Sequence, residues 1–309
     1  MRTLVFSLNP AVDVEWRVPA VLPEEKNELR SEARWPGGKG INVARWLAWH
    51  GHRSRPFLPL GGATGRALAS GLRTEGLRAT VFPIRGETRA NVVITPDRGP
   101  QLRFNPTWPT LKSREAARLG AAACELATKA KIVVISGTMA FGAAASLYAR
   151  MVSAARRAEA RVYLDCDREP FALAAREGPF LVKPNAFELS QWSGRKLRGE
   201  VDLVNAARKL SAVTGGWVLV SRGPEGALMV HALRTDVLKA RVSKVVARNS
   251  VGAGDALLAG VIASAESGKD PEEWLADGVA TGTSATQVPP GELPSRRVWQ
   301  QIRREVTLA

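Results

Sequence analysis

Short apolar segments alternate with helix-length segments along most of this chain, and that alternation restricts its fold more than any other feature. Helical patterns occupy residues 39 to 50, 113 to 130 and 145 to 158. The other segments are short apolar runs of the kind that form buried parallel strands, at residues 3 to 8, 131 to 136, 161 to 165, 180 to 183 and 217 to 221. This alternation predicts a parallel sheet covered by helices on both faces, with ligands bound beyond the carboxyl ends of the strands.

Two segments interrupt the alternation. Residues 12–35 and 87–106 alternate polar and apolar side chains, are bounded by prolines and are typical of an antiparallel β-ribbon. No linker, internal repeat or low-complexity stretch divides the 309 residues. We therefore predict a single α/β domain over residues 1–309 that carries an inserted ribbon.

Charge and cysteine content exclude several classes of protein. The net charge of +15 suggests an anionic partner, but the Lys and Arg side chains are scattered, and no DNA- or RNA-binding motif is present. We therefore predict small anionic substrates and no specific nucleic acid. No apolar span reaches about 18 residues, so we expect no contact with a membrane. Cys124 and Cys166 provide neither a disulfide framework nor a metal cluster, which predicts a cytoplasmic protein.

The loop Asn249–Asp255 is rich in glycine and leads directly into an apolar, helix-forming run. Glycine lets a ligand approach the backbone, and the first turn of a helix offers unpaired N–H groups to an anion such as phosphate. Asp255 would then accept a proton from a hydroxyl while Gly252, Ala253 and Gly254 hold the phosphoryl group. The loop alone is equally compatible with a second interpretation, in which Asp255 only caps a core helix.

Seven further motifs, in order, make the chain similar to a known family. They are Leu8–Asp13, Gly37–Arg45, Gly61–Gly65, Thr88–Val92, Ile135–Thr138, Val182–Asn185 and Ser221–Ala227. With the loop at Asp255, they resemble the ribokinase-like (PfkB) carbohydrate kinases. Within that family the resemblance is to the sugar-phosphate branch, which contains 1-phosphofructokinases, tagatose-6-phosphate kinases and minor 6-phosphofructokinases.

The resemblance implies a fold and an activity. The fold is a ribokinase-like three-layer α/β core with a parallel sheet and a small β-sheet lid, formed by residues 12–35 and 87–106, through which a homodimer is expected. The activity is transfer of the γ-phosphoryl group of Mg-ATP to a hydroxyl of fructose 1-phosphate, tagatose 6-phosphate or fructose 6-phosphate. Asp255 would be the general base, and the backbone of Gly252, Ala253 and Gly254 would form the anion hole.

The resemblance also assigns residues to the sugar phosphate. Asp13, Gly38 and Asn42 resemble positions that bind sugar hydroxyls, for which short acceptor and donor groups are suited. Thr138 stands where a serine that contacts the sugar is common. The cations that would bind the substrate's own phosphate are Lys26, Arg89 and, at a helix start, Lys39.

The nucleotide side is assigned in the same way. Lys183 would reach a nucleotide phosphate, and Asn185 and Glu188 would handle Mg²⁺, although Asn-x-x-Glu is also an ordinary capping box. The residues expected to line ATP are Ser221, Gly223, Gly226 and Thr283. The implied cofactors are ATP and Mg²⁺, with a monovalent cation such as K⁺ as a further candidate.

Several positions depart from the family pattern and leave alternatives open. They are Met139–Gly142, Arg222, Phe104–Pro109 and Val288–Gly291. These departures leave the acceptor sugar and the nucleotide preference open. Two alternatives are a kinase of an unphosphorylated sugar or nucleoside on the same fold and a non-catalytic sugar-phosphate sensor.

Overall fold

The computed structural model describes residues 2–242, 245 and 247–309. The helices are α1 Lys39–Trp49, α2 Gly62–Thr74, α3 Ser113–Ala127, α4 Leu147–Arg157, α5 Arg168–Ala175, α6 Ala186–Ser193, α7 Gly199–Thr214, α8 Ala253–Glu266, α9 Pro271–Ala285 and α10 Arg296–Glu305. The strands are β1 Thr3–Phe6, β2 Ala11–Val18, β3 Ser31–Gly37, β4 Arg55–Leu60, β5 Thr80–Pro83, β6 Arg89–Pro96, β7 Leu102–Phe104, β8 Ile132–Ser136, β9 Arg161–Asp165, β10 Leu181–Val182, β11 Trp217–Ser221, β12 Ala227–His231, β13 Leu238–Val242 and β14 Val306–Leu308.

A large twisted sheet forms the centre of the molecule, in the order β14-β13-β12-β11-β10-β9-β8-β1-β4-β5. The strands from β11 through β5 in this order pair in parallel, and β12, β13 and β14 extend the sheet with antiparallel pairs. Parallel strands need crossover connections, and the intervening helices supply them. The predicted parallel sheet is therefore confirmed.

Helices cover both faces of this sheet, as the sequence pattern predicts. On β8, Val133 and Ile135 contribute to a core shared with helices α3, α4, α5 and α7, whereas Val134 contributes to a second core shared with α1, α8 and α9. Successive side chains of a strand point to opposite faces, so one buried strand supports both cores. The apolar character of this strand on both sides is explained by this double burial.

A second, smaller sheet has the order β3-β2-β6-β7. Strands β2 and β3 pair antiparallel, as do β6 and β7, which is the pairing that the sequence pattern predicts for each segment. The two hairpins join through the parallel pair β2 and β6, from Ala11 opposite Arg89 to Val18 opposite Pro96. The chain passes through α1, β4, α2 and β5 between the two hairpins, which supplies the crossover that a parallel pair needs.

The N-terminal end of α1 lies directly on the large sheet. A Cβ atom at Gly40 would be 2.6 Å from Ser7 Cβ and 3.2 Å from the carbonyl oxygen of Ser136. Only glycine permits this approach, which brings the start of α1 to the carboxyl ends of β1 and β8. In the part of the chain that the structure describes, no helix is both long and apolar enough to cross a membrane; the cytoplasmic location stays a prediction.

Candidate active site

Asp255 lies in the first turn of α8 and is almost fully buried, with 6% of its surface exposed. Gly252 occupies the N-cap position with a left-handed backbone (φ 76°), and the helix start receives no hydrogen bond from a capping side chain. Asp255 therefore does not serve as a helix cap. Its Oδ2 instead accepts a hydrogen bond of 2.8 Å from Nδ2 of Asn42 on α1, which joins the two helix N-termini.

Burial and neighbouring charges set the pKa of Asp255. Desolvation and the nearby carboxylate of Asp165 raise this pKa to about 7, although Lys39, the Asn42 hydrogen bond and Lys183 act in the opposite direction. The carboxyl group is thus poised to exchange a proton near neutral pH, which is the range in which a general base works best.

Asp165 at the end of β9 organises the cations of the site. Its Oδ1 lies 3.2 Å from Nζ of Lys39, and its Oδ2 lies 3.2 Å from Nζ of Lys183. Burial alone would raise the pKa of Asp165, but the two ammonium groups hold it below its usual range. The attraction of Asp165 in turn raises the pKa of Lys39, so both partners are charged.

Lys183 also borders the glycine loop at the start of α8. A Cβ atom at Gly254 would lie 3.6 Å from Lys183 Nζ. The first N–H groups of a helix have no intrahelical acceptor, although that of Ala253 makes a long bond of 3.5 Å to the Ser250 carbonyl. An ammonium group beside a helix N-terminus is electrostatically unfavourable unless an anion binds between them. The arrangement therefore suits a phosphoryl group.

Asn185 and Glu188 form a reciprocal capping box at the start of α6. Asn185 Oδ1 accepts from the Glu188 backbone N–H, and Glu188 Oε2 accepts from that of Asn185, both at 2.8 Å. The capping interpretation of Asn-x-x-Glu is therefore realised. The other carboxylate oxygen, Glu188 Oε1, faces the site 3.8 Å from Lys39 Nζ.

The donor set suits a loosely held Mg²⁺. Within residues 2–242, 245 and 247–309, no three His, Cys, Asp or Glu side chains converge as a metal site. Mg²⁺ in phosphoryl-transfer sites keeps several waters and needs only one or two carboxylates in addition to the substrate phosphates. Glu188 Oε1 is such a carboxylate oxygen, so these residues fit a metal that ATP itself carries.

On the substrate side, Asp13 and Asn91 form a pair across β2 and β6. Asn91 Nδ2 donates a 2.8 Å hydrogen bond to Asp13 Oδ1. Burial raises the pKa of Asp13, against the effects of Asn91, Arg89 and Arg45. A Cβ atom at Gly37 would lie 2.1 Å from Asp13 Oδ2, so glycine at this position makes room for the carboxylate next to Gly38.

Of the three predicted phosphate-binding cations, Lys39 pairs with Asp165, and the other two differ in their surroundings. Arg89 donates from Nη1 to the Pro106 carbonyl (3.2 Å) and from Nη2 to the Asn9 carbonyl (3.1 Å), while its Nε is buried without a partner. Lys26 lies between β2 and β3 with its side chain 87% exposed and pairs with Glu28 at 3.6 Å. The structure therefore brings Arg89, but not Lys26, into the cluster around Asp13.

Thr138 follows β8 and contacts the loop after β1. Asn9 Nδ2 donates to Thr138 Oγ1 at 3.1 Å, and the buried Tyr148 hydroxyl donates to the Thr138 carbonyl at 3.1 Å. A Cβ atom at the preceding Gly137 would be 3.6 Å from Lys39 Cβ. Thr138 is therefore held close to the start of α1, where the substrate-binding residues are predicted.

The nucleotide-side residues follow β10 and β11. Ser221 forms a parallel bridge with Asn185, and Gly226, at φ 81°, packs so closely that a Cβ atom there would be 2.1 Å from the Ala240 carbonyl. Gly223 begins a short 3-10 turn. Thr283 lies one turn before Thr286, whose carbonyl accepts from the backbone N–H groups of Arg248 and of Asn249, where the glycine-rich loop begins.

Arg222, one of the departures from the family pattern, is paired. Its Nη1 lies 2.8 Å from Glu200 Oε2, and its Nη2 lies 2.5 Å from Glu225 Oε2. Lys239 shares Glu200 at 2.5 Å. The guanidinium charge beside the nucleotide segment is therefore largely compensated by carboxylates.

A small cavity of about 30 Å³ lies beside the predicted substrate-binding residues. Asp13, Asn42 and Gly252 line this cavity together with the loop at Pro289–Gly291. Trp35 of β3 lies over this loop, since a Cβ atom at Gly291 would be 2.8 Å from Trp35 Cγ. The small sheet thus contacts the loop at Pro289–Gly291 directly.

The family is decided by a match over almost the whole sequence. The pattern of the pfkB family carbohydrate kinases covers residues 7–295. The chain belongs to the PfkB family. Members of this family transfer phosphate to a sugar hydroxyl, so this PfkB protein is a phosphotransferase with an alcohol group as acceptor.

Individual relatives agree with this membership. The PfkB chain is 32% identical over 300 residues to 1-phosphofructokinase of Bacillus subtilis, with 97% of both chains covered. It is 32% identical over 289 residues to ATP-dependent 6-phosphofructokinase isozyme 2 of Escherichia coli, with 93% of both covered. The resemblance to the sugar-phosphate branch is therefore confirmed.

Solved structures confirm the fold. Crystal structures of phosphofructokinase-2 from Escherichia coli, in complex with potassium and with fructose-6-phosphate, superpose on this PfkB chain with TM-scores of 0.91 and 0.89; each is 31% identical and covers 98% of both chains. Ribokinase of Arabidopsis thaliana, at 20% identity, has a TM-score of 0.79 over 98% of this chain and 99% of that one. The ribokinase-like core with a small second sheet is thereby established.

Two residues of the PfkB site were not predicted from the sequence. Asp165 is the last residue of a predicted strand, and an acidic residue that ends a buried strand is the signal that could have identified it. Asn91 lies within the Thr88–Val92 motif, but its partner Asp13 is 78 positions away in the sequence.

Proposed function

We propose that this PfkB protein is a kinase that transfers the γ-phosphoryl group of Mg-ATP to a hydroxyl of a ketohexose phosphate. One observation carries the proposal: Asp255 is buried at the N-terminus of α8, is oriented by Asn42, and has a pKa raised to about 7. A buried carboxyl group with this pKa, next to a glycine-rich helix start, is suited to accept a proton while the helix start binds an anion.

The proposed reaction assigns one task to each group. Asp255, in its carboxylate form, accepts the proton of the acceptor hydroxyl as that oxygen bonds to the γ-phosphorus and the bond to the ADP oxygen breaks. The backbone N–H groups of Gly252, Ala253 and Gly254, together with Lys183, stabilise the negative charge of the transferred group. Mg²⁺, when bound with ATP, neutralises phosphate charge, and Glu188 Oε1 would hold it.

The phosphate of the acceptor is the proposed ligand of Arg89, Lys26 and Lys39. Support comes from the unpartnered Nε of Arg89, which leaves a donor for an incoming anion next to Asp13. Lys26 lies on the exposed loop between β2 and β3 and would reach this phosphate only if the small sheet and its loop move towards the site. The similarity to a 1-phosphofructokinase and a 6-phosphofructokinase favours fructose phosphates over a free sugar or nucleoside.

Two further components belong to the proposal. A monovalent cation such as K⁺ is supported by the potassium complex of phosphofructokinase-2. A homodimer through the small sheet, which would act as a lid, is supported by exposed apolar side chains on its edge strand β7, namely Leu102 and Phe104.

The test is a coupled ADP-release assay with Mg-ATP and a panel of acceptors. The panel contains fructose 1-phosphate, tagatose 6-phosphate, fructose 6-phosphate and the corresponding free sugars, with and without K⁺. We expect turnover with one or more of the phosphorylated sugars, lost in Asp255→Asn. Turnover with free sugars alone would contradict the roles of Arg89 and Lys26, and no turnover with ATP still bound would favour the non-catalytic sensor.

A further inference from the structure

Arg45 is a buried cation one turn after Asn42 on α1, with 6% of its surface exposed. Its guanidinium group makes four hydrogen bonds. Nε and Nη2 donate to the two carboxylate oxygens of Glu75 at 2.8 and 2.9 Å, and Nη2 also donates to the Pro36 carbonyl at 2.8 Å. Nη1 donates to Asn42 Oδ1 at 3.0 Å.

The contact with Arg45 fixes the orientation of the Asn42 amide. Arginine has only donors, so it must face the amide oxygen, and the amide nitrogen is then directed at Asp255 Oδ2. The opposite orientation would place two donors together at Arg45 and an amide oxygen against the carboxylate of Asp255. Because Arg45 has no acceptor, Asn42 can serve Asp255 only as a hydrogen-bond donor.

Glu75 and Pro36 hold the guanidinium group in place. Glu75 follows the last residue of α2, and its bidentate contact with Arg45 is the strongest geometry available to this pair. Pro36 is the penultimate residue of β3 in the small sheet. The guanidinium group therefore connects α1, which carries Asn42, to α2 and to the small sheet.

We propose that Arg45 is a positioning residue for proton acceptance by Asp255, acting through the amide of Asn42. The inference rests on the proposed function, since it assigns to Arg45 the task of keeping the general base in its proton-accepting state. A donated hydrogen bond favours the carboxylate form of Asp255, and a reversed amide would favour the protonated form.

Other charged groups around Asp255 also affect its pKa, and the test must separate their effects from that of Arg45. Asp165 from β9 and the ammonium groups of Lys39 and Lys183 face it, while Gly282 of α9, whose Cβ would be 3.0 Å from the Ala253 carbonyl, adds no charge. None of these groups bonds to the Arg45 guanidinium in the hydrogen bonds described for it. A change at Arg45 should therefore reach Asp255 through Asn42.

The experiment measures the pKa of Asp255 in Arg45→Met, Arg45→Lys and Glu75→Gln. The first readout is the pH profile of kcat/KM with the acceptor sugar phosphate. The second needs no substrate: the stability difference between each protein and its Asp255→Asn counterpart. The pKa of Asp255 is higher in the folded state than in the unfolded state. The folded state therefore loses stability as the pH rises from the unfolded-state pKa towards about 7, and Asp255→Asn removes this loss of stability.

We expect the apparent pKa of Asp255 in Arg45→Met to rise by half a unit or more and kcat to fall at least tenfold, with the KM for ATP changed less than threefold. Arg45→Lys should behave similarly, because an ammonium group cannot contact Glu75, Pro36 and Asn42 in the same fork. Glu75→Gln, which keeps a hydrogen-bonding side chain, should show a smaller change in the same direction. The double variant with Asn42→Ala should be no slower than Asn42→Ala alone.

The matched control is Arg73→Met, which removes an exposed arginine from the last turn of α2. A lowered melting temperature in Arg45→Met with an unmoved pKa would overturn the proposal, as would multiplicative losses in the double variant or full rescue by lysine. Failure of the proposed function itself is distinguishable, because the unmodified protein would then show no turnover with any sugar phosphate, or Asp255→Asn would retain activity, while the substrate-free readout would still report the pKa of Asp255.

Discussion

At the scale of single residues, the site is built from charges that the fold removes from water. Asp255, Asp165 and Lys183 are each at least nine-tenths buried, and each has a partner of opposite charge or an amide donor. Burial of an unpaired charge is costly. The free-energy cost of burying these groups therefore indicates that the site requires charged side chains.

The raised pKa of Asp255 predicts the pH dependence of the reaction. The base must be unprotonated, so kcat/KM should rise with pH and level off above about 7. Asp255→Asn should reduce kcat by about 10² to 10⁴ and remove this dependence. Steady-state kinetics between pH 5.5 and 8.5 measure both, and a flat profile for the unmodified enzyme would argue against Asp255 as the base.

Replacement of Arg89 should weaken binding of the acceptor and leave ATP binding unchanged. Arg89→Ala removes a cation whose Nε has no partner, and we expect the KM for a sugar phosphate to increase by more than about tenfold, as loss of a charge-assisted contact implies. Arg103→Ala, on β7 of the same sheet, is the control. An unchanged KM for the sugar phosphate would count against phosphate binding by Arg89.

Individual residues could be predicted only where a motif surrounds them. Asp255 is preceded by glycines, which indicate anion binding from the sequence alone. Asp165 instead contacts Lys39 and Lys183 only because three chain segments converge. Lys26 shows the reverse difficulty. Its place in a motif predicts phosphate binding. The position of a long side chain on an exposed loop, however, depends on bound ligands or on closure of the small sheet.

At the scale of helices and strands, close packing at glycines positions the reactive groups. Gly40 lets α1 rest on the ends of β1 and β8, and this contact places Lys39 and Asn42 at the site. The periodicity of the sequence predicts α1 correctly, but it gives no information about how closely the helix approaches the sheet. The sequence pattern also did not predict the parallel pairing of β2 with β6, because this pairing joins segments that are distant in sequence.

Gly40→Ala should therefore reduce both stability and activity. The added methyl group would lie 2.6 Å from Ser7 Cβ, and overpacking of this kind costs about 1–3 kcal/mol. Urea unfolding measures the decrease in the free energy of unfolding. The value of kcat should also fall, because Asn42 moves relative to Asp255. Ser70→Ala on the exposed face of α2 should change stability by less than about 0.5 kcal/mol. Equal effects of the two substitutions would show that α1 tolerates the displacement.

At the scale of the whole molecule, the small sheet leaves an apolar edge open. Leu102 and Phe104 on β7 are exposed, and β7 is the last strand of its sheet. Exposed edges of this type pair readily with another chain. The alternating pattern of residues 87–106 predicts these strands, but it does not reveal what covers them.

We expect the protein to sediment as a dimer that Phe104→Glu converts to a monomer. The substitution places a charge on the apolar edge. Leu233→Glu alters a more exposed leucine at a distance from the small sheet and should leave the dimer intact. Sedimentation equilibrium distinguishes the two, and a dimer that persists in Phe104→Glu would place the interface elsewhere.

The contact of Trp35 with Gly291 has a thermodynamic consequence for the two substrates. Trp35 belongs to β3, which ends beside Asp13, whereas Gly291 belongs to the loop that lines the same cavity and that we propose lies near the nucleotide. If a ligand displaces either part, this contact would displace the other and couple the two binding equilibria. Such coupling is reciprocal: the factor by which the sugar phosphate changes the affinity for nucleotide equals the factor by which nucleotide changes the affinity for the sugar phosphate. Where each ligand strengthens binding of the other, the proposed kinase would respond more steeply to the two concentrations than independent sites allow.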